Sequence, residues 1–357
     1  MAGIISRMYY ILFILIFCAM NALVIIRQKR PVKNGLKELR LGIISMAVLF
    51  LLSIVMQILN NRIELSYVVG DLFRMVMPIV SAFLLANTFD KDEIGLCFDV
   101  LLIRFILQFL LINASHLSIG NILAISWSNS SSIMESSLAH DFIVLEMLYL
   151  MLNKQKKAFL CMILCMLSMK RISFIAAPLL FIFSKSIQPN SVNRRLLSVI
   201  KIITIISPII VVWLYKKETQ EFLQTSFNIN LNAITSGRVQ IYNLLQRNIG
   251  HYNGLGSSNA FLGEYARSTF NTTWNGVLHN DILRLFLETT IIGVAVYVRN
   301  FFEIIKNNKW LFLMGLYLIV VAITSHIFNY FSVWVTFYMA VMSAPILLAN
   351  HKERGVA

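Results

Sequence analysis

Apolar residues run along this chain in blocks about as long as a bilayer is thick, parted by short polar breaks. A hydrocarbon core takes about 20 apolar residues of helix, and backbone groups in lipid find partners only within helices or closed barrels. Barrel strands would alternate apolar and polar positions over short segments, so unbroken blocks predict helices. The blocks cover residues 8–26, 41–59, 67–87, 94–113, 138–152, 158–169, 172–184, 197–215, 285–298, 311–325 and 327–348. By the length rule this makes about eleven transmembrane helices. The expected fold class is an all-α polytopic membrane protein, with residues 1–357 as a single membrane domain and no internal repeat. Residues 216–284 interrupt the pattern with a polar segment too long for a connector. Its aromatics Phe222, Tyr242, Tyr252, Phe261, Tyr265, Phe270 and Trp274 predict order there.

Composition agrees: 58% of the 357 residues are hydrophobic and 13% charged, with mean hydropathy +0.73, more apolar than a soluble domain can bury. The net charge of +14 would suit nucleic acid if it were spread over a surface, but Lys and Arg cluster in particular loops, as the positive-inside bias requires. No nucleic-acid partner is expected. After the first block come Arg27, Lys29, Arg30, Lys33, Lys37 and Arg40 against Glu38, while only Arg7 precedes it, so the amino terminus is expected outside. Alternation then places Lys154, Lys156 and Lys157, Lys185, Arg194 and Arg195, residues 299–309, and Lys352 with Arg354 inside. Loops 114–137 and 216–284 fall outside.

Lys170-Arg171 runs against this trend by falling on the outer side between two short blocks. Residues 158–184 could instead be one long helix with a snorkelling basic pair, which would invert everything downstream. Their length favours two spans with a break that dips toward the membrane. Cys18, Cys97, Cys161 and Cys165 lie in apolar blocks and are expected as buried thiols. The first block has no small-residue cleavage site and reads as a retained span.

Candidate chemistry gathers in and around 216–284. Thr235-Ser236-Gly237-Arg238 opens an amphipathic stretch with Ile241, Leu244 and Leu245 at helical spacing, which Ser236 or Thr235 would cap. A helix start with the Arg238 fork beside it suits phosphate oxygens, and equally suits an interfacial helix reaching lipid head groups. Gly254-Leu255-Gly256-Ser257 reads as a turn, and Asp90-Lys91-Asp92 as solvated loop charge. The run from Thr272 to Asp281 leads into the next apolar block. If helical from Asn280, it places Asp281, Arg284 and Glu288 on one stripe, with Glu288 as partner of Arg284. His279 then faces elsewhere, free to take a proton or bind an anionic oxygen unless it is a plain interfacial histidine. Asp71 and Arg74 suggest an intrahelical pair, with Arg74 as a further phosphate contact. Asp99 and Arg104 suggest ties between helices, and His140 with Asp141 could line the same cavity.

The string from His279 to Gly293 resembles the His-Asn-x-x-Leu…Glu…Gly segment of the bacterial family holding O-antigen polymerases (Wzy type) and O-antigen ligases (WaaL type). Leu167-Ser168-Met169-Lys170-Arg171 resembles that family's Ser-x-x-Arg element, Ser236-Gly237-Arg238 its Ser-x-Arg loop opening, and Gly254-x-Gly256 its glycine turn. The matches span 167–293, and the amino-terminal half matches only in hydropathy. Thr290 departs from the pattern, since the family often has glycine there. The resemblance implies glycosyl transfer at the outer face of a bacterial inner membrane, with undecaprenyl-pyrophosphate-linked oligosaccharide as donor and acceptor. It implies His279 as the acid/base group, Arg171, Arg238, Lys170 and Arg74 on the pyrophosphate, and Asn280, Arg284 and Glu288 in support. Neither metal nor cofactor is called for, because cationic forks neutralise the leaving pyrophosphate. A chain-length regulator and a flippase would be further partners. A ligase acting on lipid A-core shares donor, face and motifs. A lipid-linked oligosaccharide transporter is the rival of another class, although paired halves with broken helices are not visible.

Overall fold

The computed structural model describes residues 2–29, 32, 34–61, 63–115, 120, 135–188, 190–235, 237–248, 252–270 and 277–349. Arg30, Lys33, Ser236, residues 272–276, Lys352 and Arg354 lie outside the described residues. All regular structure among the described residues is helical. In chain order the helices are α1 (Ala2–Arg27), α2 (Leu36–Leu59), α3 (Leu65–Thr88), α4 (Lys91–Asn113), α5 (Leu138–Met151), α6 (Gln155–Leu167), α7 (Arg171–Phe183) and α8 (Arg194–Leu214). Then follow α9 (Lys217–Phe227), α10 (Leu231–Ile234), α11 (Arg238–Arg247), α12 (Ser257–Phe270), α13 (Asp281–Ile305), α14 (Lys309–Thr324) and α15 (Phe331–Leu348).

Each expected apolar block overlaps a helix, and among the described residues α2, α3, α4, α8 and α15 are both long and apolar enough to cross a bilayer. These make the chain a helical membrane protein. Two kinds of block fall short for physical reasons. Every residue of α5 is buried, so its apolarity serves the protein interior and not lipid. The helices α6 and α7 have 13 residues each, about 20 Å of rise against a hydrocarbon core of about 30 Å.

Residues 158–184 form a hairpin of two short helices around a break, α6 and α7. Met169 at its tip has φ 54°, and the two arms pack on each other, which also excludes one continuous helix. The tip is tied down, since Ser136 N–H donates to the Ser168 carbonyl at 3.1 Å. A hairpin returns the chain to the side it left, so the alternation downstream is unchanged.

The core is built on α13, which packs against α2, α8 and α14, while α15 lies on α3 and α5 on α6. Caps set the element starts. Asn193 accepts from Arg195 N–H at 2.8 Å, Asn308 from Trp310 N–H at 2.8 Å, and Glu93 closes a capping box with Asp90 at 2.8 Å. Asp90 of the Asp-x-Asp stretch is thus a helix cap. At the end of the bundle where α4 and α6 begin, Asp99 accepts from Tyr149 Oη at 2.9 Å and Lys157 Nζ at 2.6 Å, the expected tie between helices. Arg104 instead lies exposed over the Phe105 ring, 5.8 Å from its centroid. Cys18, Cys97, Cys161 and Cys165 are free thiols, and all but Cys97 are buried.

The described residues of 216–284 form α9–α12, and the segment is fastened to the bundle by its glycine turn. Gly254 and Gly256 have φ 78° and 79°, and a Cβ on Gly256 would stand 2.9 Å from the Tyr67 carbonyl oxygen. Only glycine fits that approach. Leu255 N–H then donates to Ser53 Oγ at 3.1 Å, and Gln57 Nε2 to the Asn253 carbonyl at 3.1 Å.

Candidate functional site

At the end of the bundle opposite Asp99, α13 begins and α14 gives way to α15. Asn280 caps α13 by accepting from Leu283 N–H at 2.8 Å, which leaves His279 just outside the helix. Asp281, fully buried, accepts from Ile327 N–H at 2.6 Å and Phe328 N–H at 2.8 Å, and its own N–H donates to the Ser325 carbonyl at 3.2 Å. These bonds staple the 325–330 crossing to the start of α13. They bring His326 against His279, with the two Nδ1 atoms 2.9 Å apart and the rings edge to face at 4.6 Å. Beyond it, Tyr330 Oη lies 3.2 Å from His326 Nε2. His140 stacks on Tyr330 at 6.0 Å, and its Nδ1 is 2.6 Å from Tyr317 Oη, itself 2.6 Å from Ser173 Oγ.

Basic side chains converge on this pair from distant positions in the chain. Burial pulls His279 below the usual 6.5, and the charges of Arg238 and Lys170 push it the same way. Burial, then His279, Lys170, Arg284 and Arg238, bring His326 down to about 4. Arg238 is itself depressed by burial first, with Tyr215 opposing and the charge of Arg171 adding to the fall. Lys170, Arg171, Arg238 and His279 therefore share one electrostatic neighbourhood. Both histidines are neutral at pH 7 and surrounded by permanent cations, a setting that welcomes an anion.

Each cation is held differently. Arg171 opens α7 and is exposed; Lys170 precedes it and pairs with Glu135. Arg238 opens α11 behind Gly237, which has φ 83°. The expected cap by Thr235 is not what forms: its hydroxyl donates back to the Leu231 carbonyl at 2.7 Å, closing α10 instead. Gly237 takes the cap position because only a left-handed residue turns the chain from α10 into α11 so abruptly. Arg74, half exposed, donates to Asp71 Oδ1 at 3.3 Å and to Asn329 Oδ1 at 3.5 Å, so it borders the 325–330 crossing.

The stripe of Asp281, Arg284 and Glu288 forms, but its pairing differs from expectation. Arg284, with no exposed surface, donates to Asp71 Oδ2 at 2.6 Å and stands 3.4 Å from Asp281 Oδ1. Asp71 is thereby shared between Arg284 and Arg74. Glu288 is not chiefly the partner of Arg284. Its carboxylate accepts from Gly256 N–H at 2.9 Å, Ser258 N–H at 3.0 Å and Ser258 Oγ at 2.6 Å. The reason is the start of α12, whose free N–H groups and positive helix end offer a carboxylate more than one guanidinium already engaged elsewhere.

His326 and Tyr330 were not marked by the sequence pattern. Ile327 and Phe328 extend the last apolar block backward, so hydropathy absorbed a crossing that ends only where α15 starts at Phe331. The polar doublets Ser325-His326 and Asn329-Tyr330 were the available signal. Among the described residues no cluster of three or more His, Cys, Asp or Glu side chains could hold a metal ion. No family model, curated protein or solved structure matches this chain.

Proposed function

We propose that the protein is a polysaccharide polymerase that joins undecaprenyl-pyrophosphate-linked oligosaccharide repeat units at the outer face of a bacterial inner membrane. The observation carrying this reading is that Arg238 and Lys170 act on the half-buried His279 beside His326, with Arg171 acting on Arg238 in turn. In this reading the cations hold the pyrophosphate and take up the charge that develops on it as the glycosidic bond to phosphate breaks. His279 accepts the proton of the attacking sugar hydroxyl, a contribution of about 10²–10⁴-fold. Segment 216–284 is the extracytoplasmic part, Arg74 extends the basic rim, and Asn280, Arg284 and Glu288 hold the frame. A chain-length regulator and a flippase would work beside it.

An O-antigen ligase would use the same donor and the same cations. A strain lacking the protein separates the two. Lipid A-core carrying a single repeat unit is the outcome expected here, whereas polymer stranded on the lipid carrier would assign the chain to the ligases.

A further inference from the structure

The Nδ1–Nδ1 contact between His279 and His326 has a strict chemical consequence. Two lone pairs repel and two N–H groups clash, so at 2.9 Å a single proton lies between the rings. When His279 carries it, His279 Nδ1–H donates to His326 Nδ1, His279 Nε2 is a bare lone pair, and His326 Nε2–H donates to Tyr330 Oη 3.2 Å away. This register makes His279 a base at the nitrogen that faces away from its partner. From the geometry we infer that His326 is the positioning residue of the reaction, which fixes the base-competent tautomer of His279 and shares its Nδ1 proton during the transfer.

The inference rests on the glycosyl-transfer reading and gives its proton a path. As the acceptor oxygen bonds to the anomeric carbon, its proton moves to His279 Nε2. The electrons of the breaking carbon–oxygen bond stay on the pyrophosphate. The His279 Nδ1 proton is shared with His326 Nδ1, so the positive charge spreads from the ring that touches the sugar over both rings until product departs. The pair is suited to this because its members are held by independent elements, His279 by the Asn280 cap and His326 by the Asp281 staple. Tyr330 is held in turn by the stacked His140. Lys170 from the start of α7, Arg238 from α11 and Arg284 from α13 face His326, with His140 of α5 also in range. Glu135 offsets Lys170, and Asp71 and Asp281 offset Arg284. Arg238 and Arg284 are fixed charges, and His140, Asp71 and Asp281 are buried, which leaves the histidine pair to set the acid limb of the rate profile.

The test compares purified wild type, H326N and H326A, each with nitrogen-15 histidine, by NMR and by turnover of pyrophosphate-linked repeat unit. H279N identifies the second ring of the pair. Asparagine places an amide where Nδ1 stood, so it keeps the contact but cannot take a proton. Wild type is expected to show one protonated and one bare Nδ1 coupled across the bond. H326N is expected to lower kcat at least about tenfold with KM within about twofold, and to move the acid limb to lower pH, because the proton is no longer shared. H326A should lose more. Full rescue by H326N with an unchanged pH profile, or two rings both bare at Nδ1, would overturn the inference. The coupled Nδ1 signature in a wild type that turns nothing over would uphold the pair and remove the polymerase reading.

Discussion

Thr290 sits at φ 66° and ψ 179° inside α13, in a region that a β-branched residue visits only under strain of about 1–3 kcal/mol. The helix is kinked there, and a Cβ on Gly293 would meet Thr289 Oγ1 at 2.2 Å. Glycine at 290 would occupy the same backbone freely, at an unfolded-state entropy cost of about 0.5–1 kcal/mol. Thr290→Gly is thus expected to raise stability by up to about 1–2 kcal/mol, read as a higher midpoint of thermal unfolding in detergent. A lower midpoint would mean the kink is not strained. The departure at 290 was legible in the sequence as a residue out of pattern, while the backbone angle it hides was not. His279 and Arg238 were likewise legible, because each is a polar residue at the edge of an amphipathic or apolar block. His326 was not, since apolar neighbours on its far side made the crossing look like helix.

At the scale of elements, buried carboxylates organise the site end of the bundle. Asp281 staples the 325–330 crossing, Asp71 joins α3 to α13 through Arg284, and Glu288 anchors the glycine turn at the start of α12. Removing Arg284 leaves Asp71 and Asp281 buried without their main cation, and such broken pairs cost about 3–5 kcal/mol. Removing Arg74, whose side chain is 46% exposed, takes away a solvent-screened pair worth at most about 1 kcal/mol. Arg284→Met should therefore destabilise far more than Arg74→Met; equal midpoints for the two variants would contradict the assignment of Asp71. Glu288→Gln sets an amide N–H group against backbone donors and should cost about 1–3 kcal/mol, measured the same way. The positions of these charges followed from helical spacing, but their partners did not. Spacing along one helix cannot show that a glycine turn 32 residues upstream will dock on it.

For the whole molecule, hydropathy gave the helices and their alternation because lipid and protein interior both demand apolar side chains. For the same reason it could not separate the buried α5 and the hairpin α6–α7 from helices that cross. The proposed reading, which follows the charge bias, has segment 216–284 on the side away from the cytoplasm. A cysteine put at exposed Gln224 should react with a membrane-impermeant thiol reagent on whole cells, and one at exposed Gln28 only after lysis. The reverse pattern would put the site on the nucleotide-containing side and end the proposed chemistry.

The most direct measurement is polymer formation by the purified protein from pyrophosphate-linked repeat unit, with wild type beside Arg171→Ala, Arg238→Ala and His279→Ala. The account predicts a ladder of joined units from wild type, weak product from the arginine variants, and a loss of about 10²-fold or more from His279→Ala. Ladders of equal strength from all four proteins would contradict it.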